Sequence, residues 1–269
     1  MNSDFRDRIS IAVWAVMIVL AAGALISLPG RGAPITFGSF NFELPFAAAS
    51  LLPVLLALVA AAGTQAVVSA HPLVRQGRFR LMLRFAALPV AISLITAILL
   101  PRAPSVLYWG VLLLGMAGLL AIVLFALYVS LDWGGPGYRR ARTVLNLAAY
   151  GAAVAIFLLI PATWPAYSRA LILGGTAWLL ALELLRGTRA GAGQLALYSL
   201  IVGAVIAQVA WGLLLIGLHS INTSVLLLLI FYLMVGMIRQ TLLGRITRRV
   251  IVEYLAVGGL GLLIVLLLR

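Results

Sequence analysis

The sequence predicts an all-α fold: a polytopic bundle of about nine transmembrane helices arranged as successive hairpins. Two observations carry this prediction. Of the 269 residues, 64% are hydrophobic, and the mean hydropathy is +1.19. The 19 basic residues, all of them arginine, fall mainly between long apolar runs. A composition this apolar leaves no room for a separate soluble domain, so residues 1–269 are expected to form a single transmembrane domain.

Nine segments are predicted as spans, because a helix needs about 20 apolar residues to cross a bilayer. In chain order they are residues 9–28, 46–70, 85–100, 106–131, 144–160, 170–185, 195–218, 225–243 and 250–268. The third, fifth and sixth are short, so Arg84 and Arg169 are expected to extend along their helices to the headgroups. Pro53 and Pro89 lie inside spans and predict kinks.

The arginines orient these spans. With a cytoplasmic N-terminus, fifteen lie on the cytoplasmic side: Arg6, Arg8, Arg75, Arg78, Arg80, Arg84, Arg139, Arg140, Arg142, Arg186, Arg189, Arg239, Arg245, Arg248 and Arg249. Four lie outside, namely Arg31, Arg102, Arg169 and Arg269. Short cytoplasmic loops carry the excess of basic residues in membrane proteins. The sequence therefore predicts that the N-terminus is cytoplasmic and the C-terminus is outside.

The first span and the segment that follows it are interpreted separately. Its apolar run is longer than the hydrophobic region of a signal peptide, so we interpret it as a span that is retained. The segment after it, 35–44, carries aromatic residues at near-alternate positions around Gly38 and Ser39. Such alternation around a turn dipeptide predicts a short β-hairpin, here on the outer membrane surface.

The turn between the fourth and fifth spans is the candidate site for an anionic headgroup. Glycine-rich turns present backbone donors, arginines bind phosphate, and aromatic side chains favour the headgroup layer. The residues of this candidate site are Asp132, Trp133, Tyr138, Arg139, Arg140 and Arg142. The alternative is that the turn is only a topology signal that keeps two helices oriented.

Two further sets of polar residues fall within or beside the spans. Gln208, with Trp211 close to it, is the deepest strong hydrogen-bonding side chain and is a candidate for helix association or substrate contact. Glu183 with Arg186, and Arg249 with Glu253, have helical spacing and are expected to form interfacial ion pairs. None of the six acids falls at a predicted membrane midplane, where ion-coupled transporters usually need one.

Several classes of chemistry are not indicated. The chain has no cysteine, and His71 and His219 are predicted on opposite faces of the membrane, so a shared haem or metal site is excluded. No catalytic, phosphate-loop or metalloprotease motif is present. We therefore predict no cofactor and no catalytic residue. We attribute the net charge of +13 to arginines that orient the spans and contact anionic lipid, and not to binding of nucleic acid.

The predicted function is that of a non-enzymatic membrane subunit, scaffold or sensory component. It would contact anionic lipid, and possible partners are other subunits of the bacterial cytoplasmic (inner) membrane. One alternative is a transporter or flippase for a lipid-like or hydrophobic substrate, which needs no charge at the midplane. Another is an interfacial enzyme acting on lipid-linked substrates. A weak internal repeat of two-helix units, 85–131 and 144–186, is also predicted from similar proline-bearing turns.

Overall fold

A computed structural model describes residues 3–25, 34–37, 40–43, 51–75, 85–160, 164–188, 190–215 and 221–267. Ten α-helices lie in these described residues: α1 Ser3–Leu25, α2 Leu51–Ser69, α3 Pro72–Arg75, α4 Ala87–Leu99, α5 Val106–Val129, α6 Tyr138–Leu159, α7 Ala166–Leu185, α8 Ala192–Leu215, α9 Ile221–Leu242 and α10 Arg248–Leu267. The chain divides into two compact units, Met1–Val144 (unit 1) and Leu145–Arg269 (unit 2), and the division falls within α6.

The predicted helical architecture is confirmed, and it includes candidate membrane spans. Six described helices, α2 and α5 to α9, are long and apolar enough to cross a bilayer. The helix α4 is apolar but has 13 residues, or about 20 Å at the helical rise, so it is shorter than the hydrocarbon core. Each of the nine predicted spans overlaps a helix. That nine of them cross the membrane, and in which direction, stays a prediction.

The helices differ from the predicted spans at their ends. The fifth span was predicted from residue 144, but α6 begins at Tyr138 and includes the arginines before the apolar run. Arginine is a good helix former, so the helix continues where the hydropathy falls. Pro89 is the third residue of α4. In the first turn its missing N–H has no intrahelical partner to lose, so the predicted kink is not required there. Pro53 is the third residue of α2 as described.

The hairpin predicted after the first span is confirmed. Strand β1, Pro34–Phe37, pairs in antiparallel fashion with β2, Phe40–Glu43. In this register Phe37 lies opposite Phe40, and Ile35 lies opposite Phe42. The two residues between the strands, like 26–33 and 44–50, lie outside the described residues, and the outer location of the hairpin stays a prediction.

Unit 1 is built on close packing of α1 against α2. A Cβ atom at Gly63 would lie 2.8 Å from Cβ of Ala12, so the two backbones approach at this point more closely than a larger residue permits. At the end of α2, Nη1 of Arg8 donates a hydrogen bond of 3.0 Å to the carbonyl oxygen of Ala66. An arginine from one helix thereby satisfies a carbonyl in the last turn of its neighbour.

Unit 2 is centred on α7, which is the most deeply buried of the candidate spans. It packs on α8 through glycines: a Cβ at Gly203 would lie 2.7 Å from the carbonyl oxygen of Gly174, and the same distance from Cβ of Trp178. Small residues that allow such close approach are typical of helix interfaces in membranes. The helix α9 is joined to the end of α6 by the hydroxyl of Ser224, which donates to the carbonyl oxygen of Phe157 at 2.6 Å.

Candidate functional site

The α5–α6 turn, residues 130–137, is closed by its own backbone. The N–H of Gly135 donates to the carbonyl oxygen of Asp132 at 3.2 Å, and the N–H of Tyr138 donates to that of Gly135 at 3.1 Å. Gly134 has a φ of 90°, a conformation that favours glycine. A Cβ at Gly135 would meet the Asp132 carboxylate at 2.5 Å. The glycines therefore shape the turn, and the amides of Gly135 and Tyr138 donate to carbonyl oxygens within it and not to a ligand.

Two aromatic rings flank this turn. The rings of Trp133 and Tyr138 pack with a centroid distance of 5.4 Å and an angle of 33°. Trp133 is 48% exposed, so the pair presents an amphipathic surface and is not part of the core. Indole and phenol rings of this kind favour the boundary between lipid tails and water.

The structure divides the three arginines of the candidate site. Arg139 and Arg140 are exposed in the first turn of α6. Arg142, which the sequence grouped with them, is buried. The part of the candidate site that can bind a headgroup therefore contains Trp133, Tyr138 and two arginines, next to the exposed carboxylate of Asp132, and the third arginine belongs to the packed interior. We call these four exposed or half-exposed residues the turn surface.

Behind the turn lies an aromatic cluster that the sequence did not predict. The ring of Tyr128 packs on Phe5 at a centroid distance of 3.9 Å and meets the edge of His71 at 4.7 Å. Burial lowers the pKa of His71 from its ordinary value of 6.5, and the Asp132 carboxylate raises it by a smaller amount. The N–H of Leu73 donates to Nδ1 of His71 at 3.3 Å, which also favours the neutral ring.

This cluster brings three distant segments together, because Phe5 is in α1, His71 follows α2 and Tyr128 is in α5. The only signal in the sequence was that each residue lies at the predicted cytoplasmic end of its span. Spacing along the chain could not identify them as neighbours, since they are far apart in sequence.

The intramembrane candidate pair lies on a helix surface. Gln208 is exposed, and Trp211 is 51% exposed. The interface of α8 with α7 is formed instead by Gly203 and Ala207, of which Ala207 approaches Gly174. Gln208 therefore lies outside this interface, and its bond to another helix or its contact with a substrate stays a prediction.

Both predicted ion pairs have bonding distances, but their surroundings differ. Nη2 of Arg186 lies 2.8 Å from Oε1 of Glu183, and Glu183 is fully buried. Nε of Arg249 lies 3.1 Å from Oε1 of Glu253, and both of these side chains are exposed. The first pair belongs to the interior of unit 2, and the second lies on its surface.

No group of three or more histidine, cysteine, aspartate or glutamate residues that could hold a metal ion is found among the residues the structure describes.

One family model matches the chain, over residues 28–268, and its description is "Protein of unknown function (DUF5656)". Neither the curated proteins nor the solved structures gave a match.

Proposed function

This chain belongs to the DUF5656 family, and from that premise we propose that it is a non-enzymatic component of the bacterial cytoplasmic membrane that binds anionic lipid. Its role would be that of a membrane subunit, a scaffold or a sensory component. The observation that carries the proposal is the turn surface, in which a packed Trp133–Tyr138 pair stands beside exposed Arg139 and Arg140. The two rings suit the layer between lipid tails and water, and the two guanidinium groups suit the lipid phosphate.

The position of the two arginines supports a bound anion. They lie in the first turn of α6, which contains no acidic residue. The positive end of the helix dipole is unfavourable for cations and favourable for anions. A lipid phosphate at this place would compensate the two guanidinium groups and the helix end together, and it could accept paired hydrogen bonds from either arginine.

The aromatic cluster supports a location of this turn at the membrane surface. Through Phe5, His71 and Tyr128 it gathers the start of α1, the end of α2 and the end of α5 at one end of unit 1. The positive-inside rule assigns these same ends to the cytoplasmic face. The turn surface would then meet the leaflet that is richer in anionic lipid.

The buried ion pair supports a role other than ion-coupled transport. A transporter needs an internal carboxylate that exchanges protons or ions with water. Glu183 is fully buried and lies 2.8 Å from Arg186. A carboxylate held in this way is a structural partner of its arginine, so it is poorly suited to carry cargo.

The test compares two double variants with the same loss of charge. Arg139→Gln with Arg140→Gln removes the arginines of the turn surface, and Arg142 is kept because it is buried. Arg245→Gln with Arg248→Gln removes two exposed arginines beside the α9–α10 turn. Retained phosphatidylglycerol is counted by native mass spectrometry after equilibration with an equal mixture of phosphatidylglycerol and phosphatidylcholine. The orientation of each variant is checked in the same preparation.

At about 1 kcal/mol for each arginine near an anionic surface, the first variant should bind phosphatidylglycerol roughly 30-fold more weakly. The second variant should retain nearly as much as the wild type. Trp133→Ala should give a smaller loss, because it removes the interfacial ring and keeps the charge. Equal losses in both double variants would mean that the turn surface is only part of a general positive charge, and the proposed site would be abandoned.

A further inference from the structure

Arg169 is a buried arginine in the first turn of α7. Its side chain was expected to extend to the headgroups, but it is 7% exposed. Its Nε atom is buried and has no hydrogen-bond partner. Within the described residues, the guanidinium makes no hydrogen bond or ion pair. Its Nε atom has therefore left the solvent without gaining a hydrogen-bond partner among the residues that the structure describes.

Unit 2 has no spare acid for this arginine. Its two carboxylates are Glu183 and Glu253, and each is bonded to a different arginine. Glu183 is also about 21 Å away along the axis of α7, at a rise of 1.5 Å per residue. Buried arginines thus lie at both ends of α7: Arg186, just after its last residue, pairs with a carboxylate of the chain, and Arg169, in its first turn, pairs with none among the described residues.

We propose that Arg169 is the centre of a binding site for a phosphate-type oxyanion, carried by a lipid headgroup or free in solution. An arginine stays protonated in proteins, so burial cannot be relieved by loss of the proton. An uncompensated buried charge is strongly unfavourable, and an anion that supplies the missing charge and hydrogen bonds removes this penalty. The planar guanidinium matches the paired oxygens of phosphate.

The surroundings of Arg169 favour the same ligand. Pro165, at the start of α7, offers no side-chain hydrogen bond to the helix end, so the positive end of the dipole is not capped by the chain in this way. The Ser168 hydroxyl is already engaged, since it donates to the carbonyl oxygen of Pro165 at 2.8 Å. The site lies at the end of an apolar span, where lipid phosphates are found.

This site does not depend on the function proposed above. It belongs to unit 2 and is at the end of α7 opposite to Glu183 and Arg186. The positive-inside rule predicts that this end faces outside, whereas the turn surface is predicted to be cytoplasmic. Variants of Arg139 and Arg140 should therefore leave binding at Arg169 intact.

The test measures thermal unfolding of the delipidated protein in dodecyl maltoside, a detergent without phosphate. Three additions are compared: inorganic phosphate, phosphatidylglycerol, and diacylglycerol, which has lipid tails and no phosphate. At about 100-fold above its Kd, a ligand should raise the Tm of the wild type by roughly 5 °C. Diacylglycerol should not raise it. A rise with phosphate as well as phosphatidylglycerol identifies a site for the free anion, and a rise with phosphatidylglycerol alone identifies a headgroup site.

Arg169→Gln should abolish any rise with inorganic phosphate and should reduce the rise with phosphatidylglycerol to the part that the turn surface supplies. Without ligand it should have a higher Tm than the wild type, because the uncompensated charge is gone. Arg102→Gln, an exposed arginine also predicted on the outer side, should keep the full rise. If the wild type shows no rise, or if Arg169→Gln shows the same rise, the proposal is overturned. Should Arg169→Gln fail to fold, Arg169→Lys decides: a smaller rise than that of the wild type supports the site, and an equal rise overturns it.

Discussion

The ion pair between Glu183 and Arg186 gives α7 one strong polar contact in an apolar interior. We predict that Glu183→Gln lowers the free energy of unfolding by about 3–5 kcal/mol, because it leaves the buried Arg186 charge without its carboxylate. The measurement is the denaturation midpoint of the purified protein in detergent. Glu253→Gln is the matched control, since it breaks an exposed pair of similar spacing, and it should leave the midpoint nearly unchanged. Similar effects of the two variants would contradict this assignment.

The burial of His71 makes the stability of unit 1 depend on pH. Its pKa is below 6.5 in the folded chain, so between the folded and the unfolded pKa the unfolded state binds more protons. Stability should therefore be complete above about pH 6.5 and should fall as the pH decreases through the folded pKa. Protonation of Nδ1 would also remove the acceptor used by the N–H of Leu73.

This prediction is measured as the change in Tm between pH 7.5 and pH 5. The wild type should lose stability over this range, and His71→Gln should lose less. His219→Gln serves as the control for the other histidine and should behave like the wild type. If His71→Gln retains the full decrease, a different group titrates in this range.

At the scale of elements, glycine determines how α7 and α8 pack. We predict that Gly203→Ala lowers the free energy of unfolding by about 1–3 kcal/mol, because the added methyl group would press on the Gly174 carbonyl and the Trp178 Cβ. Gly151→Ala makes the same chemical change in α6, where nothing beyond the local helix backbone lies within 4 Å of the new Cβ, and should stabilise the helix by up to about 1 kcal/mol. Midpoints that shift in opposite directions would agree with this packing, and shifts in one direction would contradict it.

The same elements show how far the sequence could be interpreted. Long apolar runs predicted α5 and α9, and alternating aromatics predicted the β1–β2 hairpin, because hydropathy and periodicity record these features directly. When all faces of a helix are apolar, however, hydropathy does not predict which face packs against its neighbours. In α5 both Val111, which is exposed, and Leu124, which is buried, are aliphatic, so no polar stripe marks the packed side.

This limit explains the candidate sites as well. The turn surface was found because turns and charges are local in sequence. The division of Arg142 from Arg139 and Arg140 was not predicted, nor was the burial of Arg169, because both depend on which way a helix faces its neighbours. The cluster of Phe5, His71 and Tyr128 depends on contacts between three separate helices, and no spacing in one sequence records them.

At the scale of the whole molecule, topology is the main prediction. Alkaline phosphatase folds to its active form only outside the cytoplasm, so its activity reports the side of the membrane that a fusion point faces. A fusion after Arg142 should be inactive, and fusions after Ala103 and after Arg269 should be active. An inactive but stably expressed fusion after Arg269 would remove at least one span from the predicted nine, with α4 as the first to be questioned because of its length.

The hydrogen bond from Arg8 to the Ala66 carbonyl bears on the order in which the protein is assembled. The two residues are 58 positions apart. At 5–20 residues per second, a ribosome needs roughly 3 to 12 seconds to make the acceptor after the donor has emerged. During that interval the positive charge of Arg8 can orient α1 as it inserts. Only later can Arg8 donate its hydrogen bond to α2. Arg8→Lys should therefore preserve the orientation of newly made chains while weakening the finished α1–α2 hairpin, which separates the two roles in time.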